Sequence, residues 1–221
     1  MKILVFGATG MVGQGIVREC LQASDVELVA TIVRSATGAS NPKLREIVHQ
    51  DLEHLQSIEA ELAGFDACFF CLGSSSAGVE EAEYARINFV LPVAAAETLS
   101  RINPGMTFTY VSGTGTDRTE KGPVMWARIK GRTENALLGL FRNAYMFRPG
   151  VIQPRDGIQS KTRAYRIFYS LSKPLLPLLH WAFPNQIIDT RELGIAMLKV
   201  ARQGYAKRVL EMKDIRALLR S

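Results

Sequence analysis

Apolar and polar positions along the chain follow two alternating rhythms. Short, mostly apolar runs rich in Val, Ile, Phe and Tyr occur at Lys2–Phe6, Glu27–Val33, Ala67–Leu72, Thr107–Ser112 and Tyr145–Arg148, and these predict strands, with a weaker one at Glu46–Gln50. Between them apolar residues recur every three or four positions, at about Met11–Ala23, Ile58–Leu62, Glu80–Arg101 and Trp126–Arg142, which is the pattern of helices with one face in a core. Pro92 is expected to kink the third of these. Strands that alternate with helices build a parallel sheet. Strands that are apolar on both faces need helices on both sides. The pattern therefore predicts an α/β fold with a doubly wound parallel sheet.

Beyond Gly150 the rhythm loosens. An irregular stretch leads to an apolar, proline-bearing segment at Leu171–Phe183, then to helices at Thr190–Gln203 and near Asp214–Leu219. Residues 1–155 read as the core of a single domain spanning 1–221. Residues 156–221 read as a small substrate-side cap with its terminal helices, dependent on that core.

Composition narrows the class. The 221 residues are 47% hydrophobic and 22% charged, which excludes a disordered or collagen-like chain. A net charge of +6 and a pI near 9.4 raise the question of a polyanionic partner. The charge is dispersed, however: the densest basic stretch, Lys161 to Arg166, holds three cations, and no helix-turn-helix, finger or aromatic-basic ribbon is visible. No nucleic-acid partner is expected, and a small phosphorylated ligand suits the surplus equally well. Cys20, Cys68 and Cys71 are odd in number and lie in apolar stretches, so a reducing compartment, the cytoplasm, is the expectation. Cys68 and Cys71 have redox-motif spacing but fall within one strand, where residues three apart point to opposite faces. His49, His54 and His180 have no partners at metal-ligand spacing, and no metal is expected. Lys173, Pro174, Pro177 and His180 interrupt the Leu171–Phe183 segment, which is too short to span a membrane. It remains a candidate lid, partner surface or homodimer interface.

The strongest chemical signal is Gly7-Ala8-Thr9-Gly10-Met11-Val12-Gly13, which follows the first strand and opens the first helix. A side chain at the glycines would keep main-chain amides away from a pyrophosphate, and the helix start offers unpaired N–H groups with partial positive charge. Folds that bind NAD place a carboxylate at the end of the second strand; this chain has Arg34, followed by Ser35, and a guanidinium matches a 2′-phosphate. NADP(H) is therefore favoured over NAD(H).

The Gly-Ala-Thr-Gly core resembles the atypical and extended short-chain dehydrogenase/reductase superfamily, within it the NAD(P)H-binding group that includes NmrA-like and Tat-interacting-protein-like members. The resemblance implies a Rossmann-type fold. It further implies that Gly7, Thr9, Gly10, Met11, Val12 and Gly13 hold the cofactor's phosphates, that Asp51 and Leu52 lie near the adenine, and that Cys71, Leu72 and Gly73 pass along the cofactor. Ser112 and Lys130 match the superfamily's carbonyl-orienting serine and ribose-binding lysine. Arg148, Pro149 and Gly150 resemble the Arg-Pro-Gly that follows the sixth strand near the nicotinamide end, and Asn88 resembles a helix asparagine of the group. Trp126 stands four residues before Lys130, where the pattern calls for the proton-carrying tyrosine. An indole N–H does not titrate in the accessible range. Two functions stay open: an oxidoreductase or epimerase-like enzyme acting on a small carbonyl or sugar-derived substrate, and a non-catalytic NADP(H)-binding redox sensor. Tyr165, Tyr169 and His180 are the cap side chains that could approach the site.

Overall fold

The computed structural model describes residues 1–158 and 186–220. Tyr165, Tyr169, His180, the Lys161–Arg166 cluster and the Leu171–Phe183 segment lie outside the described residues. Seven strands form one parallel sheet: β1 (Lys2–Phe6), β2 (Leu28–Val33), β3 (Leu44–Val48), β4 (Ala67–Phe70), β5 (Thr107–Val111), β6 (Ala144–Arg148) and β9 (Val209–Glu211), in the order β3-β2-β1-β4-β5-β6-β9. β7 (Val151–Gln153) and β8 (Ile187–Asp189) pair parallel beside it. The doubly wound parallel sheet expected from the pattern is what the chain adopts, in the Rossmann-type form that the resemblance implies.

Alternate residues of each strand feed opposite cores. Leu4, Phe6, Ala30, Ile32, Cys68, Phe70, Phe108 and Tyr110 face α2 (Glu59–Leu62), α4 (Leu91–Ile102) and α5 (Met125–Leu140). Ile3, Val5, Val29, Phe69, Tyr145 and Phe147 face α1 (Met11–Gln22), α6 (Thr190–Gln203) and α7 (Met212–Arg220). Burial on both faces explains why the strands read as continuous apolar runs. Helices α1 and α6 cross where both carry glycine: a methyl at Gly15 would sit 2.5 Å from Thr190 Cβ, and one at Gly194 would sit 3.4 Å from Ile16 Cα.

The third predicted helix is three pieces: α3 (Glu81–Ala85), a π-turn at Arg86–Val90, and α4 with Pro92 in its first turn. Proline has no N–H to give to the carbonyl four residues back, which is that of Asn88. The Tyr110 and Thr133 hydroxyls donate to Asn88 O instead, at 3.2 and 2.6 Å. The expected kink at Pro92 is thus absorbed as a π-turn whose released carbonyl is satisfied from β5 and α5.

Candidate functional site

The chain leaves β1 for β2 on one side of the sheet and enters β4 on the other, so a crevice opens at the carboxyl ends of β1 and β4, the general ligand position of open α/β sheets. Gly7 has φ +80° and Gly10 N–H donates to Gly7 O at 2.9 Å, which closes the β1–α1 turn. A methyl on Gly7 would sit 2.5 Å from Leu72 N, and one on Gly13 would sit 2.1 Å from Gly7 O. These glycines therefore hold β1, the start of α1 and the Cys71–Leu72 backbone in mutual contact. Gly10 caps α1 without a side-chain hydrogen bond, and the first turn carries no acidic residue. Met11 and Val12 open that turn, so its positive end is left for an anion. Gln14 Nε2 braces the turn from within by donating to Thr9 O at 3.0 Å. A cradle that a Cβ would fill and an uncapped helix start fit a pyrophosphate.

Around the crevice the other expected residues take definite positions. Arg34 directly follows β2 and is exposed. The β2–β3 connection contains no helix, and a cavity of about 720 Å³ lies between that loop and α1, with Thr9, Val17, Leu21, Val33 and Leu44 in its walls. Asp51 accepts Glu53 N–H at 3.1 Å and bonds His54 Nδ1 at 2.9 Å, and the His54 bond holds its carboxyl below the usual carboxylate range. Leu52 is buried beside it. Gly73 packs on Asn88, where a methyl would sit 3.2 Å from Oδ1. Asn88 is fully buried; its Nδ2 donates to Ser74 Oγ and Tyr84 O, while among the described residues Oδ1 has no partner. Burial pushes the Cys71 thiol up, away from thiolate chemistry.

Across the crevice, Ser112 follows β5 and Lys130 lies on α5 beside it. Lys130 Nζ donates to Val111 O at 3.2 Å and stands 5.3 Å over the Tyr110 ring. Burial pushes its amine down to about 8, against a smaller opposing pull from Glu134. Trp126, one turn earlier, is half-buried and packs near Gly115. Tyr110, two residues before Ser112, is fully buried with its hydroxyl on Asn88 O, so it does not fill the role that Trp126 vacates.

The residue that sequence reasoning left without a role is Glu134. It is fully buried, accepts Ser112 Oγ–H at 2.6 Å, and pairs with both Arg148 Nε and Nη2 at 2.9 and 2.6 Å. Arg148 Nη1 also reaches Glu211 at 2.9 Å. The guanidinium of the Arg-Pro-Gly segment is therefore engaged by two carboxylates. The available signal was the spacing of four from Lys130 to Glu134, which places both on one helix face. Pro149 O accepts Thr114 N–H, and a methyl at Gly150 would sit 2.1 Å from Gln186 O, so these two residues shape the approach to β7 and β8. Among the described residues no cluster of metal ligands exists and no helix is long and apolar enough to cross a membrane.

Comparison with known proteins agrees with this geometry. The NAD(P)H-binding family model matches residues 7–131. The chain is 24% identical over 213 residues to the mitochondrial protein FMP52-1 of Scheffersomyces stipitis, covering 94% of this chain and 91% of that protein. It is 27% identical over 220 residues to mitochondrial fmp52-2 of Aspergillus terreus, covering 96% and 93%. These relatives correct the expected cytoplasmic location, since both are named as mitochondrial; free cysteines in apolar stretches do not distinguish the two compartments. In structure the chain is similar to the oxidoreductase ylbE of Lactococcus lactis, with a TM-score of 0.66 at 13% identity, covering 100% of this chain and 98% of that one. With its glycine cradle at the β1–α1 turn and its sheet order, the chain belongs to the NAD(P)H-binding family.

Proposed function

We propose that the protein is an NADP(H)-dependent oxidoreductase or epimerase-like enzyme acting on a small carbonyl or sugar-derived substrate at the carboxyl ends of β4, β5 and β6. The observation that carries this is the juxtaposition, across one crevice, of an uncapped glycine cradle with Ser112 and the desolvated Lys130. In this reading the amides of Met11, Val12 and Gly13 bind the pyrophosphate, and Arg34 takes the 2′-phosphate that distinguishes NADP from NAD. Asp51 and Leu52 flank the adenine, and Lys130 holds the nicotinamide ribose. A reduced nicotinamide, when bound, supplies a hydride. The mitochondrial naming of the relatives marks the compartment in which to look for the substrate.

Trp126 favours a second reading, a non-catalytic NADP(H)-binding sensor, because the usual proton carrier is missing. Calorimetric titration with NADPH, NADP⁺, NADH and NAD⁺ tests both. Micromolar or tighter binding with a preference for the phosphorylated pair is expected. No binding by any of the four would overturn both readings, and binding that differs sharply between NADPH and NADP⁺ without turnover on a carbonyl panel would favour the sensor.

A further inference from the structure

We propose that Lys130, and no hydroxyl of β5 or α5, delivers the proton to the substrate oxygen, while Ser112 serves that oxygen's surroundings only as a hydrogen-bond acceptor. This rests on the oxidoreductase reading and departs from the serine–tyrosine arrangement in one chemical respect: where the donors are.

Each candidate donor has a fixed number of protons to give. A hydroxyl has one. Among the described residues the partners of Ser112 Oγ are Glu134 Oε1 at 2.6 Å and Phe147 O at 3.1 Å, both acceptors, so its proton points into the protein and its lone pairs are left for the crevice. Arg148 grips the Glu134 carboxylate on both oxygens, which fixes it as the acceptor. The Tyr110 hydroxyl donates to Asn88 O. Thr133 Oγ1 lies within bonding distance of Asn88 O and Ile129 O, again both acceptors. The Trp126 indole does not titrate in the accessible range. Lys130 carries three N–H bonds, and among the described residues only Val111 O accepts one. The ammonium also sits over the Tyr110 ring, which leaves its remaining hydrogens for a ligand.

Among the described residues the titratable groups against Lys130 are Glu134 on its own helix and Tyr110 on β5, and behind Glu134 lie Arg148 of β6 and Glu211 of β9. Glu134 is held by Arg148, Glu211 shares that arginine, and the Tyr110 hydroxyl is pushed well above its ordinary value by burial. None of them supplies a direct counter-ion to the ammonium, and burial brings its titration near neutrality, where a group exchanges protons effectively in both directions. In reduction the two electrons arrive as hydride at the carbonyl carbon and the π pair moves to oxygen. One Nζ–H bond breaks, its electron pair stays on nitrogen, and an O–H bond forms on the substrate. The neutral amine then regains a proton from water.

The test uses the full chain, with Lys130→Arg and Ser112→Ala. Two readouts are independent of turnover: NADPH affinity by calorimetry, and trace acetylation of Lys130 by acetic anhydride from pH 6 to 11, followed by mass spectrometry. The third is NADPH oxidation with 9,10-phenanthrenequinone as the probe carbonyl. Lys130 is expected to acetylate with a midpoint near 8, well below the other lysines, and reduction of the quinone is expected to decline above that pH. Lys130→Arg keeps the charge and, at NADPH concentrations that saturate its measured affinity, should lose about 100-fold or more in kcat, the scale of one general acid. Ser112→Ala should lose less than about tenfold. An ordinary lysine midpoint, retained turnover in Lys130→Arg, or an equal loss in Ser112→Ala would each overturn the proposal alone, whereas NADPH binding without quinone turnover would overturn the oxidoreductase reading with it. Absence of NADPH binding would instead remove the underlying reading.

Discussion

At Gly13 a single added methyl decides whether the turn can form, because the nearest atom is main chain and cannot swing aside. Gly13→Ala is expected to destabilise the fold by about 1–3 kcal/mol, the usual cost of overpacking, and to weaken dinucleotide binding. Thermal unfolding together with an NADPH titration checks both. Arg34 differs in kind, being exposed and, among the described residues, without a hydrogen bond or ion pair. Arg34→Ala should leave the unfolding temperature unchanged and weaken NADPH binding by about 1.5–3 kcal/mol, the contribution of a hydrogen bond to a charged group, with little effect on NADH. If NADPH and NADH lose equally, the 2′-phosphate assignment is wrong.

At the scale of elements, the π-turn at Arg86–Val90 shows local sequence and tertiary context acting on one carbonyl. Pro92 withholds the N–H that Asn88 O would accept in an α-helix, and hydroxyls from β5 and α5 replace it. Tyr110→Phe removes one of the two donors and is expected to cost about 0.5–1.5 kcal/mol, the net value of one hydrogen bond, in urea unfolding, without changing NADPH affinity. Pro92 is legible in the sequence as a helix disturbance, but the form of that disturbance is not, since Tyr110 and Thr133 are 22 and 45 residues from Asn88. Strands β7, β8 and β9 were invisible for a related reason: each has three residues, too few to show a period.

On the scale of the whole molecule, Glu134, Arg148 and Glu211 tie α5, β6 and β9 together behind Ser112. Removing one side of a buried ion pair strands the other charge. Glu134→Gln should therefore cost about 3–5 kcal/mol, and a paired Glu134→Met, Arg148→Leu replacement should recover most of it; equal losses would show that the pair is not coupled. Lys130 gives the fold a pH signature. Its amine titrates near 8 in the fold against 10.5 in the unfolded chain, so between these values the unfolded state binds more protons and stability rises with pH. Lys130→Met lacks this contribution. Its unfolding temperature relative to wild type should accordingly be higher at pH 7 than at pH 10, and a constant difference would contradict the desolvated amine.

The sequence alone determined the parallel sheet, the glycine turn, the cation after β2 and the absence of tyrosine at position 126, because each follows from local period, steric room or residue chemistry. Only the tertiary structure decided where protons and charges are committed. Ser112 and Glu134 are 22 residues apart, Arg148 and Glu211 63 apart, and no periodicity relates them. Whether a serine donates or accepts depends on the group behind it, which is fixed only when α5 packs on β5 and β6.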